Sequence, residues 1–221
     1  MHAGPALIFD LDGTLVDTAP DLLGATNAVL DWAGRSRIDP ESLRHMVGFG
    51  ARALIEQAMA ATGPGVTQTA LPGLIDIFIA HYRDHIADFS QPFAGVEATL
   101  DTLKAAGWRM GVLTNKPAEL ARPLLEKLGM MDYFQAVYGA GRKSYTKPDP
   151  QIFHDIVLDC GGGKAVMIGD SITDLSTARA ANAPCILMSY GYTAVPAAKL
   201  GGDLVLDDFT HLPQALEKLA L

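Results

Sequence analysis

Two aspartates stand two residues apart where an apolar run ends, in Ala6-Leu7-Ile8-Phe9-Asp10-Leu11-Asp12-Gly13-Thr14-Leu15. The run reads as a buried strand, and Gly13 and Thr14 break it into a loop. If extended geometry persists to the second aspartate, both side chains point the same way. Two like charges at the end of a buried strand are costly unless a cation neutralises them. A hard divalent ion with oxygen ligands, Mg²⁺, suits that role. A carboxylate held there can attack phosphorus and form an aspartyl-phosphate. A second carboxyl beside it can protonate the leaving oxygen and later deprotonate water. Asp-x-Asp alone also occurs in turns, calcium loops and sugar-nucleotide sites, so the pair needs company elsewhere in the chain.

Three later segments supply it. Val112-Leu113 is followed by Thr114-Asn115-Lys116-Pro117, Tyr145-Thr146-Lys147-Pro148-Asp149-Pro150 precedes a helical stretch, and Met167-Ile168 is followed by Gly169-Asp170-Ser171 with Asp174 beyond. Phosphoryl transfer can use each one. Thr114 offers a hydroxyl, and the amide of Asn115 is expected at the start of the next helix, where anions bind. Lys147 offers a fixed positive charge for phosphate oxygens. Asp170 offers a further metal ligand, with Gly169 allowing close backbone approach. Asp174 can position Lys147 or a metal-bound water. Each also has a plainer role: Thr114, Asp170 and Asp174 can cap helices, and Lys147 can be a solvated loop lysine.

The elements that must position these residues follow from the hydrophobic pattern. Beyond Gln91-Pro92-Phe93-Ala94-Gly95 the chain alternates. Strands are expected over 108–114, 136–138, 165–168, 185–188 and 204–206, with helices over 96–106, 118–128, 149–158, 173–181 and 212–219. Such alternation predicts a parallel, Rossmann-like α/β sheet with helices on both faces, and ligands at its carboxyl edge. Residues 16–90 read instead as all-helical, without a convincing strand. Helices are expected from Pro20 to Ala33 with Gly34 as the stop, from Asp39-Pro40-Glu41, over 51–61, and over 71–89 with Leu74, Ile75, Phe78, Ile79, Tyr82 and Ile86 on one face. The simplest organisation is a core of residues 1–15 and 91–221 with a helical cap domain, 16–90, inserted after the first strand. Met1 to Pro5 is expected to be a loose end.

Bulk properties narrow the class. The 221 residues carry a formal net charge of −8, and 49% are apolar and 19% charged, as in globular proteins. The negative balance argues against nucleic acid or an anionic membrane surface as partner. It leaves room for a small phosphorylated metabolite, because a local metal reverses the field. Two cysteines, Cys160 and Cys185, lack metal-type spacing and read as buried thiols in a reducing cytoplasm. No apolar run approaches the ~20 residues of a membrane span, and no export signal is evident. A monomer or homodimer is expected.

Four segments together carry a resemblance: Asp10-Leu11-Asp12-Gly13-Thr14-Leu15, Val112-Leu113-Thr114-Asn115-Lys116, Lys147-Pro148-Asp149-Pro150 and Gly169-Asp170-Ser171-Ile172-Thr173-Asp174. In order and spacing they match the four motifs of the haloacid dehalogenase-like superfamily. Leu15 to Asp21, Val47-Gly48-Phe49-Gly50, Pro92 to Val96 and Tyr190-Gly191-Tyr192 resemble its phosphoglycolate phosphatase-like branch. Ala181-Asn182-Ala183 departs from it, standing where Ala-Gly is usual. The resemblance implies a cap inserted between the first and second motifs. It implies Asp10 as nucleophile and Asp12 as acid/base, with phosphate held by Thr114, Asn115 and Lys147. It implies Mg²⁺ held by the Asp10 side chain, the Asp12 backbone carbonyl and Asp170. The expected enzyme hydrolyses a phosphomonoester such as 2-phosphoglycolate. A sugar-phosphate mutase, or a silent binding module of the same fold, are the alternatives.

Lesser features stay outside that scheme. Gly48 to Arg52 is a candidate selectivity loop in which Arg52 either binds a substrate carboxylate or stands on the surface. His81 and His85, four apart, read as a solvated helix face. Gly161-Gly162-Gly163-Lys164 leads into a strand and reads as a turn. Trp32 and Trp108 read as packing residues.

Overall fold

The computed structural model describes residues 5–219. The expectation for Met1 to Pro5 therefore lies, for residues 1–4, outside the described residues. Six parallel strands form one sheet: β1 (Ala6–Phe9), β4 (Arg109–Pro117), β5 (Ala136–Ala140), β6 (Ala165–Gly169), β7 (Cys185–Met188) and β8 (Leu204–Leu206), in the order β5-β4-β1-β6-β7-β8. This is the Rossmann-like α/β core that the alternating pattern predicts. Every residue of β1 is buried, as an apolar run covered on both faces should be. Its side chains divide by the two-residue period. Leu7 and Phe9 join one apolar cluster with residues of α5 (Val96–Ala105), α6 (Ala118–Lys127) and α9 (Leu212–Lys218). Ala6 and Ile8 join the other, with residues of α7 (Pro150–Asp159) and α8 (Ile172–Ala180).

Between β2 (Val16–Asp17) and β3 (Gln91–Pro92) the chain is helical: α1 (Ala19–Trp32), α2 (Pro40–Arg44), α3 (Ala51–Ala61) and α4 (Leu71–Asp84). β2 and β3 pair antiparallel, Val16 opposite Pro92 and Asp17 opposite Gln91. This ladder of two residues per strand corrects the all-helical expectation for residues 16–90. It is too short to leave a periodic signal. Asp39 caps α2 through Ser42 N–H at 2.9 Å, and Gly34 stops α1 with φ +65°, a conformation that favours glycine. The apolar stripe of α4, with Leu74, Phe78 and Tyr82 buried, packs on α1 and α3.

Several expectations are corrected in detail. α4 ends at Asp84, not Phe89, although Ile86 is still buried. β4 continues to Pro117, past the expected end at Thr114. Trp32 closes α1 and is 71% exposed, so it is no packing residue, whereas Trp108 does pack against the core. Cys160 and Cys185 are free and buried. Asn182, in the segment that departs from the family pattern, adopts φ +53°. Asparagine enters that left-handed region more readily than other residues with a side chain.

The segment beyond α4 is held by a tertiary contact. The buried Asp21 carboxylate, in the first turn of α1, accepts from Phe89 N–H at 3.2 Å, Ser90 N–H at 2.8 Å and the Ser90 hydroxyl at 2.6 Å. These bonds fix the chain as it returns from the helices to the sheet. Asp21→Ala leaves them unmade, and charge-assisted bonds are each worth about 1.5–3 kcal/mol. The expected loss is about 2–4 kcal/mol in urea unfolding. A loss below about 0.5 kcal/mol would remove the brace from this description.

Candidate active site

Sheet register brings the chemistry-bearing residues together. Phe9 lies opposite Val112 on β4 and Ile168 on β6. Asp10 therefore emerges beside Leu113-Thr114 on one side and Gly169-Asp170 on the other. Asp10, Asp170 and Asp174 are all buried, and a carboxylate oxygen of each lies within 4.8 Å of the others. The Lys147 ammonium, also buried, reaches Asp10 Oδ1 at 2.9 Å and Asp174 Oδ1 at 2.5 Å.

The surrounding bonds give each carboxylate a distinct task. Asp10 Oδ1 also accepts from Leu11 N–H at 2.7 Å. Asp170 accepts from the Thr14 hydroxyl at 3.0 Å and from Tyr192 N–H at 2.7 Å. Asp174 Oδ2 accepts from Asp170 N–H, Ser171 N–H and the Ser171 hydroxyl at 2.7–3.2 Å, which closes a capping box on α8. With Oδ1 on Lys147 and Oδ2 on that cap, Asp174 is committed to holding its neighbours. Two glycines permit the crowding. A Cβ on Gly169 would stand 2.3 Å from Asp174 Cγ. Gly13, at φ +85°, would place one 2.6 Å from Asp170 Oδ2.

Asp10 and Asp12 line a common cavity with Thr114 and Asn115, but different lysines hold them. Asp12 Oδ1 receives the Lys116 ammonium at 2.9 Å and the Thr18 hydroxyl at 2.7 Å. Thr18 occupies the cap position of α1 yet makes no side-chain cap bond. Thr114 Oγ1 accepts from Lys116 N–H at 3.1 Å. The expected place of the Asn115 amide at a helix start is corrected, because β4 runs to Pro117 and α6 begins at Ala118. Its side chain instead donates to the carbonyls of Gly48 and Lys147, at 3.3 and 3.2 Å. Arg52 is exposed and pairs with Gln68 and Glu56 on the outer surface. His85 pairs with Asp88 at 2.7 Å.

Lys116 is the residue that sequence reasoning passed over. It is two positions from Thr114, so the strand period places both on one side. That spacing was the available signal. Thr14, Thr18 and Tyr192 give no such signal, since their roles depend on distant partners.

Charge balance decides what the cluster can hold. Three buried carboxylates share one ammonium. Burial, reinforced by Asp174, pushes the Asp10 carboxyl up to about 7 despite Lys147. Burial, then Asp174 and Asp10, raises the Asp170 carboxyl well above its ordinary range. An all-oxygen donor set with uncompensated negative charge fits a hard divalent cation. With Asp174 committed, Asp10 and Asp170 are the side chains that could hold it.

The raised Asp10 value fixes a sign. The unfolded chain releases this proton near the ordinary carboxylate value of 3.8, and the folded chain holds it to about 7. Over that window the folded state binds more protons, so rising pH removes stability. In chelator, Asp10→Asn should gain stability relative to wild type as pH rises from 4 to 8, most steeply below about 7. Denaturant unfolding across that range checks this, and a pH-independent difference would contradict it.

Comparison with known proteins agrees with the geometry. Residues 7–188 match the family model described as haloacid dehalogenase-like hydrolase. A phosphoglycolate phosphatase of Caulobacter vibrioides is 44% identical, covering 96% of this chain and 90% of its own length. One from Agrobacterium fabrum is 42% identical over 97% and 94%. The crystal structure of a predicted phosphoglycolate phosphatase from Haemophilus somnus 129pt superposes with a TM-score of 0.91 at 27% identity, covering 98% of this chain and 99% of that one. The chain thus belongs to the haloacid dehalogenase-like hydrolases, and within them to the phosphoglycolate phosphatase-like branch.

Proposed function

We propose that the protein is a Mg²⁺-dependent phosphomonoester hydrolase acting through an aspartyl-phosphate on Asp10, with a small phosphorylated metabolite, 2-phosphoglycolate first, as substrate. The convergence of Lys147 and Asp170 on Asp10, which itself borders a cavity with Asp12 and Thr114, carries this reading. Sequence relatives bearing the phosphoglycolate phosphatase name support the substrate.

In this scheme an Asp10 carboxylate oxygen attacks phosphorus in line, and the ester P–O bond breaks. Asp12, protonated at that stage, gives its proton to the departing alkoxide. As a carboxylate it then takes a proton from water, whose oxygen attacks phosphorus and breaks the bond to Asp10. Phosphate leaves, and both aspartates return to their starting states. Thr114, Asn115 and Lys147 hold the phosphoryl oxygens, Lys147 being aimed at Asp10 by Asp174. Mg²⁺ would be held by Asp10, Asp170 and the Asp12 carbonyl, and supplies neutralisation of the charge shared by nucleophile and phosphate. Residues 16–90 act as a cap over the core of 1–15 and 91–221, excluding bulk water. The cysteines accord with a cytoplasmic enzyme.

Asp10→Asn removes the nucleophile. With Mg²⁺ it should lower kcat on 2-phosphoglycolate by about 10⁴-fold or more, and wild-type turnover would end the scheme. Arg52→Ala, outside the cavity, should leave kcat/KM within about twofold. A tenfold loss in steady-state assays would return Arg52 to the site.

A further inference from the structure

The cavity beyond Asp10 has a composition the hydrolytic scheme does not explain. It measures ≈ 40 Å³, room for a few water-sized groups. Leu22, Val47, Leu54, Phe78 and Leu120 make an apolar wall. Among its lining residues the charges are Asp10, Asp12 and a lone cation, Lys116. Lys147 is divided between two carboxylates, but Lys116 has Asp12 as its one carboxylate partner among the described residues, with the Tyr82 hydroxyl beside it. Its ammonium lies 4.2 Å over the ring of Tyr82 on α4. An ammonium has three donors, so this one retains capacity for a second anion.

Two further features of the same cavity attract negative charge. The opening of α3 at Gly50-Ala51 borders it, and this helix start has no side-chain cap, so its amide dipoles are free to face an anion. The buried Tyr82 hydroxyl makes no hydrogen bond of ordinary geometry; the Lys116 ammonium beside it can only donate to its oxygen, and burial pushes its ionisation up to about 12, so it remains a donor. Arg52, the other candidate for this task, is turned to the surface.

We propose that Lys116, with Tyr82 and the start of α3, binds the carboxylate of an anionic leaving group and so selects phosphorylated short hydroxy acids over phosphate esters of neutral alcohols. This rests on the phosphatase reading above. The alternative is that Lys116 serves only to orient Asp12.

The test compares 2-phosphoglycolate with 2-hydroxyethyl phosphate, in which a neutral CH₂OH replaces the carboxylate. Wild type in Mg²⁺ should prefer the acid by roughly 10- to 100-fold in kcat/KM, the range for a charge-assisted contact. Lys116→Met should bring that ratio towards one, chiefly through KM for the acid, and Lys116→Arg should keep most of it. An equal loss on both esters with the ratio unchanged would overturn the proposal in favour of Asp12 orientation. If Lys116→Met does not fold, wild type decides: glycolate should inhibit competitively and ethylene glycol should not. A wild-type ratio near one, or equal inhibition, overturns the proposal and leaves the phosphatase reading intact. Wild type inert on both esters overturns the two together.

Discussion

The whole site hangs on how one lysine is shared. The Lys147 ammonium stands between Asp10 and Asp174, with a third carboxylate, Asp170, in the same buried cluster. One positive charge cannot balance three negative ones, and a low-dielectric interior makes the remainder expensive. The raised ionisation of Asp10 and Asp170 expresses that cost. Asp174 is the fixed member, because its second oxygen is spent on the start of α8. The imbalance therefore falls on Asp10 and Asp170, the two groups best placed to hold a cation.

Sheet order explains how distant segments reach one point. β1 is central, with β4 and β6 on either side, so the ends of three strands are adjacent although more than a hundred residues separate the first from the second and third. The helical insertion leaves from the end of β1 and returns at β3, fastened by the β2–β3 pair and by Asp21. Its residues Gly48, Leu54, Phe78 and Tyr82 complete the cavity that begins at Asp10. The sheet thus supplies charge and the insertion supplies shape, and Lys116 touches both through Asp12 and Tyr82.

Much of this was legible in the chain. The uninterrupted apolar run of β1 can only be a covered strand, and Asp10, Thr114 and Asp170 could be read as a set because each follows such a run. Gly34 and Asp39 marked helix ends by local chemistry. Features decided by distant partners were not legible. α4 stops at Asp84 and Asp21 holds the backbone further on, at Phe89 and Ser90, though the apolar spacing continues to Ile86. Thr18 looks like a helix cap, but Asp12 takes its hydroxyl. Trp32 looks like core and stands in solvent. Lys116 sat in plain view beside Thr114, and only the third dimension shows that its ammonium is buried against Asp12 and Tyr82.

The chemistry proposed for this site requires that Asp10 and Asp170 can hold a cation together at the meeting point of three strands. Anomalous diffraction from crystals grown with Mn²⁺, a stand-in for Mg²⁺, tests it most directly. One strong peak is expected at about 2.2 Å from a carboxylate oxygen of each aspartate. A saturating Mn²⁺ soak that leaves this position empty, or a peak bound to other side chains, would contradict it.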